Sequence, residues 1–314
     1  MKEVILITGI TGFLGCHIGK LLSENNYQVI ATRRSRSNLK NCIEFQDQIE
    51  WINIDNDGWK EKIIARAPKI ILHAAWIGVS AADRDDWTMQ SKNLIFMQDL
   101  LHIAQQSNTQ KVIGLGTQAE YGFIDTIVSE SHPLKPTSAY SAVKIVSSQL
   151  LKNSCMMNNV QWYWLRVFPV FGEKEGTDWL LPGIIQTIAT KQVKKMAFTP
   201  GEQQYAYLYI KDFINAIKKV VVNQKNSSGV YNISSTQPLP LKMIITLIRD
   251  KIDPAFELEF GALPYRRNQS MLIAGDMTQF NEAFEILKTT PLDESINNTI
   301  NFYTATLKLS NESI

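Results

Sequence analysis

The chain has 314 residues, 45% of them hydrophobic and 20% charged, values of an ordinary globular protein that exclude a disordered or collagen-like chain. Its 32 Lys and Arg against 30 Asp and Glu give a formal net charge of +2, too balanced for nucleic acid to be the main partner. No apolar run reaches the ~18 residues of a membrane span, and three scattered cysteines, Cys16, Cys42 and Cys155, form neither a disulfide framework nor a paired-cysteine metal site. The expectation is a cytoplasmic protein with no metal, in which each thiol packs as a small hydrophobe. At ~100–200 residues per domain, the length predicts two domains.

In chain order, residues 4–8 read as a buried strand. Residues 12–25 read as a helix with Leu14, Ile18, Leu21 and Leu22 on one face, and 27–32 as the next strand. Further strands are expected at 50–54, 69–75, 111–115 and 161–167, and helices at about 59–67, 82–107 and 139–156. Near-continuous apolar strands separated by helices predict a parallel sheet covered on both faces, the doubly wound α/β class. Beyond it, Pro and Gly punctuate 169–201, a strand-rich piece covers 204–210, and a helix follows over 212–222. Residues 230–233 are placed to rejoin the main sheet.

Directly after the first strand comes Thr8-Gly9-Ile10-Thr11-Gly12-Phe13-Leu14-Gly15. Glycines at this spacing, between a strand and a helix, allow a tight turn and close approach of backbone to a pyrophosphate at the helix N-terminus. Gly9, Thr11, Gly12, Phe13, Leu14 and Gly15 are therefore candidate cofactor contacts. The second strand ends Thr32-Arg33-Arg34-Ser35-Arg36, where an NAD site normally carries a carboxylate for the ribose 2′-hydroxyl. Arg33 and Arg34 instead suit a 2′-phosphate, so NADP(H) is favoured and NAD(H) is the alternative. Asp55, after the third strand, is a candidate partner of the adenine amino group. The predicted organisation is a dinucleotide-binding domain over 1–171, to which 205–235 returns. A smaller, discontinuous substrate-binding domain takes 172–204 and 236–314.

After the fifth strand comes Gly116-Thr117-Gln118-Ala119-Glu120-Tyr121-Gly122, and the next helix opens Tyr140-Ser141-Ala142-Val143-Lys144. Tyr140 and Lys144, four residues apart, share a helix face. A phenol titrates near ~10; a nearby ammonium and a nicotinamide cation would favour phenolate. With Thr117 hydrogen-bonding a substrate oxygen, the three make a proton-transfer site beside a hydride donor or acceptor.

These features resemble the extended short-chain dehydrogenase/reductases, of the NAD(P)-dependent epimerase/dehydratase kind that acts on nucleotide sugars. The resemblance runs through the glycine turn, His73-Ala74-Ala75, Asn93, Thr117, Tyr121-Gly122, the Tyr140/Lys144 pair and residues 166–172. It implies a Rossmann-type fold, Tyr140 as acid/base, Lys144 orienting cofactor and tyrosine, and Thr117 polarising the sugar carbonyl or hydroxyl. It adds His73, Ala74, Ala75, Asn93, Phe168 and Val170 to the cofactor set. It also implies a homodimer through helices at about 88–106 and 139–156. Dehydratases of this kind carry an Asp-Glu pair after the threonine; Gln118 and Ala119 stand there instead, and neither can exchange protons.

A segment over 260–267 resembles reductases of CDP- or dTDP-linked 4-keto-6-deoxyhexoses. The implied activity is an NADPH-dependent 4-ketoreductase of surface polysaccharide biosynthesis, with Gln118, Tyr205 and Arg266 as substrate contacts. Arg266 would bind the pyrophosphate. A nucleotide-sugar 4-epimerase with resident NAD is the alternative, and a cofactor-binding regulatory protein the alternative of another class. Two positions depart from the pattern. Tyr205-Ala206-Tyr207 replaces an Arg-Asp-Phe sequence whose arginine helps hold the nucleotide, and Pro169 replaces an asparagine.

Overall fold

The computed structural model describes residues 2–225 and 227–312; the last two positions of the expected 236–314 segment lie outside them. In chain order the elements are β1 (Glu3–Thr8), α1 (Phe13–Glu24), β2 (Tyr27–Arg33), β3 (Ile49–Asn53), α2 (Trp59–Ala65), β4 (Ile70–His73), α3 (Trp87–Gln106), β5 (Lys111–Thr117), α4 (Ala139–Met157) and β6 (Gln161–Val167). There follow β7 (Val170–Phe171), α5 (Leu180–Thr190), β8 (Lys195–Phe198), β9 (Gln204–Tyr205), β10 (Leu208–Tyr209), α6 (Ile210–Val222) and β11 (Gly229–Ile233). The chain closes with β12 (Leu239–Pro240), α7 (Leu241–Ile252), β13 (Glu257–Phe260), β14 (Leu272–Ile273), α8 (Thr278–Phe284) and α9 (Leu292–Glu312).

Seven strands form one parallel sheet in the order β11-β6-β5-β4-β1-β2-β3. This is the doubly wound α/β class expected from the sequence, with β11 as a seventh strand beside β6. The period of two along each strand sorts the apolar residues onto two faces. Ile5, Ile7, Val29, Ala31, Ile113, Tyr163 and Leu165 pack on the α1 and α6 side. Leu6, Ile30, Ile71, Val112, Trp162 and Trp164 pack on the α3 and α4 side. The strands are apolar almost throughout because both faces are covered.

Local chemistry sets the ends. β4 stops at His73, two residues short of expectation, because pairing with β1 ends at Thr8↔His73 and Ala74 and Ala75 turn over Gly9. α3 begins at Trp87 rather than near 82, since the Asp86 side chain caps it by accepting from Met89 N at 2.9 Å. The strand-rich piece over 204–210 divides: β9 joins β12 and β14, and β10 pairs with β7. β8 and β13 form a further parallel pair, and α5 packs on α7 and α9. In open α/β folds ligands bind beyond the carboxyl ends of the strands, and β7 follows directly on that end of β6. Among the described residues no helix is long and apolar enough to cross a membrane.

Candidate active site

The three glycines of the first turn do three different things. Gly9 has φ +75°, and a Cβ there would lie 2.5 Å from Ala75 N. A Cβ on Gly15 would come within 2.1 Å of Gly9 O, so this glycine permits close helix–strand packing. Gly12 is the N-cap of α1, without a side-chain cap. A Cβ there would meet one neighbour, Gly9 O at 3.4 Å, and otherwise open space. The uncapped first turn of α1, with half-buried Phe13 and Leu14, thus faces open space with free N–H groups. That fits the pyrophosphate of a dinucleotide. Thr11 closes the loop by accepting from Asn41 Nδ2 at 3.4 Å.

At the end of β2, the Arg33 guanidinium lies 5.9 Å from the Trp51 ring. Its Nε is buried and has no hydrogen-bond partner among the described residues. Arg33, Glu50, Trp51, Asn53, Lys62 and Arg66 are among the residues lining a cavity of about 530 Å³, in which Glu50 pairs with Arg66 at 2.7 Å. An orphaned buried donor beside an aromatic face, with Lys62 as a further cation, fits the adenosine end of a dinucleotide. Arg34 is exposed, with its N–H on Ser37 Oγ at 3.0 Å. Asp55 Oδ2 accepts from Ser35 N at 2.7 Å, and Asn53 Nδ2 donates to Ser35 Oγ at 2.8 Å. The bonds from Ser35, then the charges of Arg34 and Arg36, hold the Asp55 carboxyl below its ordinary pKa. Asp55 therefore stitches the basic turn together.

The structure brings Thr117, Tyr140 and Lys144 together. Thr117 ends β5 and caps the following short turn, accepting from Ala119 N at 3.2 Å. Tyr140 lies in the first turn of α4, nine-tenths buried. Burial raises its phenol above the ordinary value, while a bond to Thr117 and the charge of Arg84 oppose that shift. Lys144 Nζ donates to Leu115 O at 2.6 Å. It also sits 3.7 Å from the centre of the Trp76 ring and 5.9 Å from that of Tyr140. Burial pulls the Lys144 pKa down and the Glu120 carboxylate pulls it back up. Trp76 is held for this contact, its indole N–H donating to Gln90 Oε1 at 2.9 Å.

Glu120 is fully buried, and sequence reasoning missed it. Its Oε1 accepts from Thr117 N and Trp164 Nε1, both at 2.9 Å, and its Oε2 pairs with Arg166 Nε at 2.8 Å. Arg166 also donates to Tyr121 OH at 2.9 Å, and Tyr121 OH donates to Asn232 Oδ1 at 2.6 Å. Room for this network comes from Gly114 and Gly116 of β5. A Cβ on Gly116 would lie 2.3 Å from Trp164 Nε1 and 2.6 Å from Glu120 Oε1. Glycines on one face of a strand signal such a close approach, and that signal was readable.

Most of the remaining candidates have partners within the protein. His73 Nδ1 bonds Thr8 Oγ1 at 2.8 Å; its complete burial lowers its pKa to about 3 and keeps it neutral. Asn93 is spent on Ile77, accepting from its N at 2.9 Å and donating to its O at 3.1 Å. Phe168 packs in a small core with Tyr121, Ile124 and Val128, and Val170 pairs with Leu208 in β7. Gln118 is half-buried beside Thr117. Tyr205 OH accepts from Gln269 Nε2 at 2.5 Å. The charge of exposed Arg266 reaches the Tyr205 phenol, so these two stand together, far along the chain from the glycine turn. Among the described residues no group of His, Cys, Asp or Glu could hold a metal ion.

A model of the NAD dependent epimerase/dehydratase family matches residues 5–234. CDP-abequose synthase of Salmonella typhimurium is 23% identical over 283 residues, covering 86% of this chain and 89% of that protein. The crystal structure of UDP-glucose 4-epimerase from Thermotoga maritima with UDP-glucose matches with a TM-score of 0.86 at 21% identity, over 97% of this chain and 100% of the other. The dTDP-glucose 4,6-dehydratase of Bacillus anthracis in complex with NAD matches at 0.83 and 19% identity, over 98% of each chain. The structural likenesses carry the fold, and the family match covers the glycine turn, the Thr117/Tyr140/Lys144 cluster and the seven-stranded sheet from residue 5 of β1 onward. The chain belongs to the NAD-dependent epimerase/dehydratase family and is an NAD(P)-dependent enzyme of the extended short-chain dehydrogenase/reductase type.

Proposed function

We propose that this enzyme is an NADPH-dependent reductase of the C4 ketone of a dTDP- or CDP-linked 4-keto-6-deoxyhexose, working in surface polysaccharide biosynthesis. The observation that carries the reading is Arg33, a cation whose buried Nε has no partner among the described residues, at the strand end where an NAD site carries a carboxylate. A reductase consumes reduced cofactor in every turnover, whereas an epimerase returns the hydride it takes. Gln118 and Ala119 speak against a dehydratase, since neither exchanges protons. The relative described as CDP-abequose synthase supports the substrate class.

The bound cofactor would supply the hydride to C4. The N–H groups of the first turn of α1 would hold its pyrophosphate, and Arg33 its 2′-phosphate. Burial keeps the Tyr140 phenol protonated at neutral pH, the state a proton donor to the new alkoxide requires. Thr117 would orient the ketone oxygen, and Lys144 would hold a positive charge beside the site. Arg266 and Tyr205 would take the nucleotide side of the substrate. Two copies would pair through α3 and α4, which expose Ile95 and Val146. The three cysteines, all free and buried, suit a reducing cytoplasm.

The test follows nicotinamide absorbance with NADPH or NADH and either dTDP- or CDP-4-keto-6-deoxyglucose. Oxidation that requires the keto sugar and prefers NADPH is expected, and Tyr140→Phe should lower turnover at least ~100-fold. No oxidation with either cofactor, together with NAD that co-purifies, would overturn the reductase in favour of the 4-epimerase.

A further inference from the structure

The loop between β4 and α3 grips Tyr140 from outside its own helix. The N–H of Tyr140 is one of the first-turn donors that α4 cannot satisfy internally, and it donates to Arg84 O at 2.8 Å. The side chain of the same arginine lies over the Tyr140 ring, with Cζ 5.2 Å from the ring centre. Its Nε donates to Val79 O at 3.1 Å. The loop itself is built to hold this shape. Gln90 Nε2 donates to Gly78 O at 2.7 Å and to Asp83 O at 3.2 Å, and Ser80 Oγ donates to Asp83 Oδ2 at 2.7 Å. Gly78 turns there with φ +79°.

We propose that Arg84 is a positioning residue for the proton-transfer group, fixing Tyr140 through its carbonyl and setting a guanidinium against the phenol ring as a second cation beside Lys144. The inference rests on Tyr140 being the proton donor. Lys144 donates to Leu115 O and lies over the Trp76 ring, with its Nζ 5.9 Å from the Tyr140 ring centre. The groups facing Tyr140 are the Thr117 hydroxyl and the Glu120 carboxylate from the end of β5 and its turn, Lys144 from α4, the Trp76 ring edge at 5.9 Å, and Arg84. Glu120 opposes Arg84, since a carboxylate disfavours phenolate and a cation over the ring favours it. Arg84 therefore makes Tyr140 a stronger acid. Because the main-chain bond survives any side-chain change, Arg84→Gln removes the charge and keeps the grip.

The experiment uses full-length protein with tyrosine labelled with carbon-13 at Cζ. The Tyr140 resonance is assigned by its loss in Tyr140→Phe. Arg84→Gln should raise the pH at which that resonance titrates by about half a unit to one unit, and Arg84→Lys by less. The alkaline limb of the turnover–pH profile should move the same way. A Tyr140 titration unmoved in Arg84→Gln overturns the proposal. A moved titration with full turnover in Tyr140→Phe would leave the Arg84–Tyr140 coupling standing and remove the proton-donor reading instead.

Discussion

Replacing Glu120 by Gln removes one buried charge at almost constant volume. The amide oxygen can still accept from Thr117 N and Trp164 Nε1, each now 2.9 Å from Glu120 Oε1. The amide NH₂ then faces Arg166 Nε, donor against donor, where the carboxylate stood at 2.8 Å. The two side chains are 0% and 5% exposed, so solvent cannot take over. Breaking a buried pair from one side costs about 3–5 kcal/mol. Arg166 keeps its bonds to Tyr121 OH at 2.9 Å and Glu130 O at 3.2 Å, so the low end, about 3 kcal/mol, is expected. Urea unfolding by far-ultraviolet circular dichroism should be measured for wild type, Glu120→Gln, Arg166→Met and the double variant. The double variant should lose at least about 1 kcal/mol less than the sum of the single losses, since it leaves no lone charge. Single losses that simply add, or a Glu120→Gln protein within about 1 kcal/mol of wild type, would refute the claim that Glu120 and Arg166 are a coupled, stabilising buried pair.

Arg33→Ala should weaken NADPH binding about tenfold or more relative to NADH, read from nicotinamide fluorescence; equal losses for both cofactors would count against a 2′-phosphate contact. Gly116→Ala puts a Cβ 2.3 Å from Trp164 Nε1 and should cost about 1–3 kcal/mol of stability in a denaturant melt. Gly12→Ala, facing open space, should cost less than about 1 kcal/mol yet weaken dinucleotide binding. Burial raises the Glu175 carboxyl to about 8, and one of its oxygens is buried without a partner among the described residues. The folded protein therefore holds a proton that the unfolded chain loses near pH ~4.5, so stability falls as pH rises through that window towards ~8. Glu175→Gln should remove this fall, melting above wild type at pH ~9 and close to it at pH ~4.5.

The parts that read correctly from sequence are those with long periodicity or tight local chemistry. β6 falls on the expected 161–167, and the glycine turn and the Tyr140/Lys144 pair lie on the predicted elements. The two-residue strands β7, β9, β10, β12 and β14 have no period to detect. Glu120 reads as an ordinary polar residue because its partner Arg166 is 46 positions away. Arg84 and Gln90 act through loop geometry that no propensity encodes. The Lys144 ammonium stands 5.9 Å from the Tyr140 ring centre, and the groups that anchor it, Leu115 O and the Trp76 ring, come from other elements that helix spacing does not reveal.

The seventh strand has a consequence for biogenesis. β11 covers the open edge of β6 but is made only after residues 168–228, which include the short strands β7 to β10. During synthesis the nascent sheet therefore carries an unpaired edge along β6, with Trp162 and Trp164 beside it, until residues 229–233 leave the ribosome. The large sheet cannot be finished before α5, α6 and the short strands β7 to β10 have all been made. A fragment ending near residue 171 should then be a strand-edge aggregator rather than a free-standing dinucleotide binder.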